Sequence, residues 1–349
     1  MTALPQVPLA ADYTIPRLIK GGWQLAGGHG AVNAERAIND MMVFADAGIT
    51  AFDCADIYTG VEALIGRFIR ERRNLRGSDA PPIRVHTKCV PDLDKLPTLS
   101  RADIEHIINR SLTRLAVDRI DLVQLHWWDY DAPRFVDAAL HLRDIQRAGK
   151  IHHIGATNFG TAQLTAMLDA GVPLVSHQVQ LSLLDGRALR EMATLTQSRG
   201  VGLLAYGALA GGFLHEKWLG QPEPQSPLEN RSLVKYKLII DDFGGWPLFQ
   251  RLLTTLQSIA LAHDTTIGAV AIAHVLGQAP VAAAIVGARS SAHLPATVAS
   301  AALALTVNDR EALAAITAET TGPLGDVYNL EREKSGRHAS IMRYNLNTA

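Results

Sequence analysis

The sequence predicts an α/β fold, a closed (β/α)8 TIM barrel with its chemistry on one rim. Three observations carry that expectation. Short apolar runs alternate with amphipathic stretches through most of the chain, about eight such units can be counted, and polar residues recur at the ends of the apolar runs around the whole chain. A doubly wound nucleotide-binding sheet would alternate in the same way. Its GxGxxG fingerprint is absent, however, and the glycine-rich GGHG at 27–30 lacks that spacing.

The first strand is RLIKGG, followed by the helical pattern AINDMMVFADAG, whose Gly48 can cap the C-terminus. TAFDCA and IRVHTK follow as strands. The clearest unit starts at Ser100, an N-cap with Asp103 in the first turn, and runs through Ile104, Ile107, Ile108, Leu112 and Leu115 on one helical face. IDLVQLHW then reads as a buried strand, and HHIGAT, LVSHQV, VGLLAYG and VAAAIVG complete the set. Residues 215–245 break the rhythm after the seventh strand with prolines, glutamines and charges, the pattern of a lid-like insertion. From Gly322 the chain carries Tyr328, His338, Met342 and Tyr344 with little periodicity, so it either covers the barrel mouth or is disordered. Residues 1–349 are expected to form one barrel domain, with a core at about 17–313 and a tail at 322–349.

Composition narrows the functional classes. Lys and Arg total 33 against 34 Asp and Glu, a net charge of −1 that offers no field for phosphate backbones or anionic lipid. The apolar stretch from Val270 to Val286 is interrupted by His274, Gln278 and Pro280, and the N-terminal residues lack a basic region followed by a long apolar run. A cytoplasmic enzyme acting on a small molecule, with no nucleic-acid or membrane partner, is the expectation. Cys54 and Cys89 read as buried thiols, and no metal site is expected from their spacing.

Asp53, Tyr58, Lys88 and His126 fall at successive strand ends in FDCADIY, VHTKC and VQLHW. Singly they read as a helix cap, a packing residue, a solvated charge and a core histidine. Together they suit proton transfer to a carbonyl. A phenol can donate a proton to a forming alkoxide if a nearby ammonium favours its ionised form, and a carboxylate can hold that ammonium. A neutral imidazole donating to the carbonyl oxygen would polarise it.

FDCADIYTGVEALIG, VHTK, DLVQLHW, IGATNF, HQVQLSLLD, LLAYGALAGG and AIVGARS, in this order from about Arg17 to Leu313, resemble the aldo-keto reductase superfamily. The resemblance implies that Asp53, Tyr58, Lys88 and His126 are a catalytic tetrad with Tyr58 as general acid. It also implies that NADPH, or in some members NADH, lies across the C-terminal rim of the barrel. Asn158 and Gln178 would hold the nicotinamide amide, with Thr157 beside them, and Tyr206 would stack on the ring. Gly21, Gly22 and Trp23 would approach from the first strand. Gly287, Arg289 and Ser290 would take the adenosine phosphate, and Lys217 would fold over a phosphate. His293 and Thr297 depart from the family's adenosine-binding pattern.

For substrate, Trp23, Trp127 and Trp128, with Trp218 or Trp246, are candidates for an apolar cleft, although adjacent Trp127 and Trp128 alternate faces if both lie in the strand. Asp129 and His153 are placed near the rim. The GGWQLAGGHG opening and RHASIMRYNLN tail resemble bacterial family members acting on bulky ketones such as keto-mycotoxins. Two other readings stand beside this one. Lys88 could be a Schiff-base nucleophile in a barrel aldolase. Alternatively, the chain could bind the coenzyme as a regulatory subunit.

Overall fold

The computed structural model describes residues 4–27, 30–77, 79–288 and 290–347. Two short antiparallel strands come first, β1 (Gln6–Ala10) and β2 (Tyr13–Pro16). Eight parallel strands then close into a barrel: β3 (Leu18–Gly21), β4 (Ala51–Asp53), β5 (Arg84–Cys89), β6 (Ile120–Leu125), β7 (Ile151–Thr157), β8 (Leu174–Gln180), β9 (Gly202–Tyr206) and β10 (Val281–Gly287). Closure is made by β10, which pairs with both β9 and β3. The (β/α)8 architecture is therefore the one expected, and each barrel strand coincides with a predicted run to within one residue beyond its ends.

The helices end where local chemistry dictates. Ser100 and Asp103 form a reciprocal capping box at the start of Arg101–Leu115, which buries Ile104, Ile107, Ile108 and Leu115. Gly48 follows the helix Ala34–Asp46 at φ +93°, a conformation that glycine adopts without a Cβ clash. Cys54 and Cys89 are both free and buried.

The hairpin β1–β2 was not foreseen. It packs Leu9, Tyr13 and Ile15 against the barrel-interior residues Ile19, Ala51, Leu122, Leu204 and Ala283. The Tyr13 hydroxyl reaches 2.9 Å from His86 Nε2, so the hairpin plugs the end of the barrel where the strands begin.

At the other end, the insertion and the tail as far as Asn347 both pack onto the rim. The insertion contains the helix Arg231–Phe243, whose Leu233, Tyr236, Ile239, Ile240 and Phe243 are buried, and it is less loop-like than its polar composition suggests. The tail includes the short helix Asn329–Arg332. Arg332 Nη2 donates to the carbonyls of Trp127 and Asn158, both at 2.8 Å, and Asn347 Nδ2 donates to the carbonyl of Val90 at 2.7 Å. The tail thus crosses the rim and is anchored on both sides.

The apolar stretch at 270–286 is shared between the helix Ile267–Leu276 and β10. Among the described residues, no single helix is long and apolar enough to cross a membrane.

Candidate active site

A cleft of about 480 Å³ opens at the C-terminal ends of the strands. Asp53 closes β4, Lys88 is next to last in β5, His126 follows β6 directly, and Tyr58 stands in the turn before the helix Val61–Arg76. All four line the cleft. Lys88 Nζ is 2.6 Å from Asp53 Oδ2 and donates to the carbonyl of Cys54 at 2.8 Å. The same ammonium lies 5.2 Å from the centroid of the Tyr58 ring.

The other carboxylate oxygen is equally engaged. Asp53 Oδ1 accepts from Gln178 Nε2 at 2.6 Å and from Gln124 Nε2 at 3.0 Å. Gln124 pairs across the sheet with Gly155, where a Cβ would stand 2.5 Å from Ser176 Oγ and 3.3 Å from Gln124 Cγ. The bare glycine leaves room for the glutamine inside the barrel.

These contacts set the protonation states. Burial opposes charge on Lys88, but Asp53 and Tyr58 more than offset it, so its pKa lies above the ordinary lysine value. Desolvation pushes the Tyr58 phenol above its usual value, and Lys88 pulls it back only in part. Tyr58 is therefore a protonated phenol at neutral pH. Burial, with the Arg332 charge adding to it, drops His126 to about 3, so its imidazole is neutral. His126 Nδ1 lies 3.3 Å from the Thr157 carbonyl. A carbonyl can only accept, so this contact puts the proton on Nδ1 and leaves Nε2 as an acceptor. That tautomer differs from the donor role expected of His126 toward a carbonyl oxygen.

The aromatic walls follow from alternation just past the end of β6. His126 and Trp128 are two residues apart and meet edge to face at 4.3 Å, and Trp128 lines the cleft. Trp127 points the other way. It is fully buried, its Nε1 donates to the Ala132 carbonyl at 2.8 Å, and it packs on Phe135, so it is not a cleft residue. Trp218 and Trp246, expected as alternatives for the cleft, both pack on Phe213 away from it. Trp23 does line it, with its ring centroid 5.1 Å from that of Tyr58.

Among the positions expected to hold a coenzyme, Gly21, Trp23, Asn158, Gln178, Tyr206, Lys217 and Gly287 line the cleft. Asn158 adopts φ +60°, tolerable for asparagine, and accepts from the Tyr206 hydroxyl at 2.8 Å. Gly22 is different: a Cβ there would come within 2.9 Å of both the Asp53 carbonyl and Val61 Cγ1, so its bare backbone serves strand packing rather than the cleft. Ser290 also stands outside the cleft wall. Arg289 lies outside the described residues. Thr297 turns its hydroxyl to the His293 carbonyl at 3.0 Å within its own helical turn. Asp129 binds Lys334 of the tail at 2.7 Å. His153, expected near the rim, sits near the start of β7 at the opposite end of the barrel.

Several cleft residues escaped the sequence reading. Gln24, Arg231 and Lys235 line it, and Lys235 Nζ is 5.0 Å from the Tyr206 centroid and 3.7 Å from Glu331 Oε1. Gln124 carried a usable signal, since it lies two residues before His126 and so points to the same side.

The aldo/keto reductase family model matches residues 17–318, and the chain belongs to the aldo/keto reductase family. It is 31% identical over 238 residues to the chloroplastic pyridoxal reductase of Arabidopsis thaliana, a match covering 64% of this chain and 61% of that protein. It is 30% identical over 308 residues to the uncharacterized oxidoreductase Rv2298 of Mycobacterium tuberculosis, covering 86% of this chain and 88% of the relative. Its fold is similar to that of the glycerol dehydrogenase AKR11B4 from Gluconobacter oxydans, with a TM-score of 0.77, 23% identity and coverage of 92% and 97% of the two chains.

Proposed function

We propose that the protein catalyses the reversible, nicotinamide-dependent reduction of a ketone or aldehyde to an alcohol, with NADPH as the preferred coenzyme. The observation that carries this reading is the Lys88 ammonium held between the Asp53 carboxylate and the Tyr58 ring in the cleft. An oxidoreductase role accords with the aldo/keto reductase family match.

The residues present suit a dinucleotide. Thr157 Oγ1 is a buried oxygen with no hydrogen-bond partner among the described residues, and it neighbours the amides of Asn158 and Gln178 on the cleft wall. These three with Tyr206 would hold the nicotinamide end. Gly21, Trp23, Gly287 and Lys217 would line the path toward the phosphates, and Arg289 and Ser290 would serve the adenosine end. When bound, the coenzyme supplies or accepts the hydride.

In the reductive direction Tyr58 gives its proton to the oxygen of the forming alcohol, and Lys88 stabilises the phenolate left behind. Asp53 fixes the ammonium, and Gln124 and Gln178 fix Asp53. His126, neutral and tethered through Nδ1 to the Thr157 carbonyl, borders the position of the substrate oxygen beside Tyr58. Trp23 and Trp128 flank these groups and favour a bulky, partly apolar carbonyl compound. A Schiff-base role for Lys88 requires a neutral amine, whereas its pKa is raised by Asp53 and Tyr58.

The test is a carbonyl panel followed by NADPH and NADH absorbance, run on wild type and Tyr58→Phe. The variant is expected to lose about 10²–10⁴-fold in kcat while its coenzyme Kd, measured by calorimetry, is unchanged. Full turnover in Tyr58→Phe would refute the assignment. Turnover without any nicotinamide dependence would refute the reaction class.

A further inference from the structure

At the end of the barrel away from the cleft, two segments distant in sequence bring together two imidazoles and a carboxylate. Asp12 lies in the turn between β1 and β2, and His152 and His153 are the second and third residues of β7. His152 Nε2 is 2.9 Å from Asp12 Oδ2, and His153 Nε2 is 3.1 Å from Asp12 Oδ1. One donor atom from each of the three residues lies within 4.8 Å of the other two. We propose that Asp12, His152 and His153 bind one divalent transition-metal ion of the zinc class.

Hydrogen bonding leaves this cluster incomplete. His153 Nε2 is buried, and among the described residues its 3.1 Å approach to Asp12 falls short of hydrogen-bond geometry. His152 Nδ1 is also buried without a hydrogen-bond partner among the described residues. A cation between the rings and the carboxylate has no such directional mismatch, because it attracts the lone pairs of all three groups at once.

The spacing fits. Tetrahedral zinc with bonds of about 2.0–2.2 Å holds its donor atoms roughly 3.3 Å apart, close to the two Asp12 contacts. Two nitrogens and one oxygen favour zinc, cobalt or nickel over the oxygen-seeking calcium and magnesium. The Tyr13 ring closes the inner side, with its centroid 4.9 Å from that of His153 and 5.6 Å from that of His152. The Asp12 side chain is 65% exposed, so solvent can complete the coordination shell. The Arg84 guanidinium, 5.4 Å from the Tyr13 centroid, is committed to Asp121 at 3.1 Å, which lessens its repulsion of a cation.

The ion would bolt the hairpin plug to the barrel wall. It would stand four residues before Thr157 along β7, roughly 13 Å from the cleft, and would take no part in hydride transfer.

The experiment uses the untagged full chain, stripped with chelator and titrated with Zn²⁺ by calorimetry, with Co²⁺ as a spectroscopic probe. Wild type is expected to take up one equivalent, to show a Co²⁺ visible band of tetrahedral intensity, and to unfold a few degrees higher with Zn²⁺. Asp12→Asn, in an exposed turn, and His152→Gln should each weaken uptake by at least about tenfold while leaving carbonyl turnover of the metal-free protein unchanged. No uptake by wild type, or undiminished uptake by both variants, would overturn the proposal.

Discussion

The side-chain amide of Gln178 lies 2.6 Å from Oδ1 of Asp53, the carboxylate whose Oδ2 holds Lys88 Nζ at 2.6 Å. Gln178 also donates to Gln124 Oε1 at 3.0 Å, so two glutamines and a lysine saturate one buried aspartate. Gln178 therefore holds the ion pair as well as facing the cleft.

Gln124 is the member of this set that does not itself line the cleft. Replacing it by leucine removes one donor to Asp53 and one acceptor for Gln178. Urea denaturation should show a loss of about 1–3 kcal/mol, and kcat should fall with little change in coenzyme Kd. A Kd change larger than the kcat change would mean that Gln124 acts through the coenzyme site.

The Asp53–Lys88 pair itself is buried. Lys88→Met leaves an unpaired carboxylate and should cost about 3–5 kcal/mol in denaturant unfolding. The double variant Asp53→Asn, Lys88→Met should recover part of that loss while remaining inactive. Equal stability of the single and double variants would show that the charges are not coupled.

The pH dependence of reduction has a defined sign. The reaction uses the protonated Tyr58 phenol, whose pKa is raised by burial, beside a Lys88 ammonium whose pKa is also raised. Reductive kcat/KM should stay level from neutral pH past the ordinary tyrosine range and fall only above it, while alcohol oxidation gains as pH rises. A reductive profile that falls near neutrality would assign the proton to another group.

Glu331 anchors the tail to Lys235 at 3.7 Å and to Arg187 at 3.5 Å. Burial raises its pKa, but the two cations outweigh it and the net shift is downward. A lowered folded pKa contributes stability above the unfolded value of about 4.3, and that stability is lost as pH falls through the folded value. Glu331→Gln should therefore destabilise the protein by about 1–3 kcal/mol at neutral pH, raise KM and speed proteolysis of the tail, with the difference from wild type shrinking in acid.

Local pattern carried most of this architecture. The barrel strands were legible because each is a compact apolar run between helical periods, and Asp53, Lys88 and His126 because they end or follow such runs. Alternation from His126 selects Trp128 over Trp127 for the cleft, but only once the end of β6 is known. The hairpin was not legible, since QVPLA and YTIP are short and carry prolines, and their partners are barrel-interior residues far along the chain. Lys235 and Glu331 meet nearly a hundred positions apart with no shared period, so their contact emerges only from the folded rim.

The indole pair Trp23 and Trp128, on the cleft wall, gives the protein a built-in optical gauge. Its emission overlaps the absorption band of a reduced nicotinamide, so loading of the chamber should register as energy transfer in stopped flow. Trp127, Trp218 and Trp246, packed away from the cleft, would respond less strongly, and each catalytic cycle could be followed without a dye.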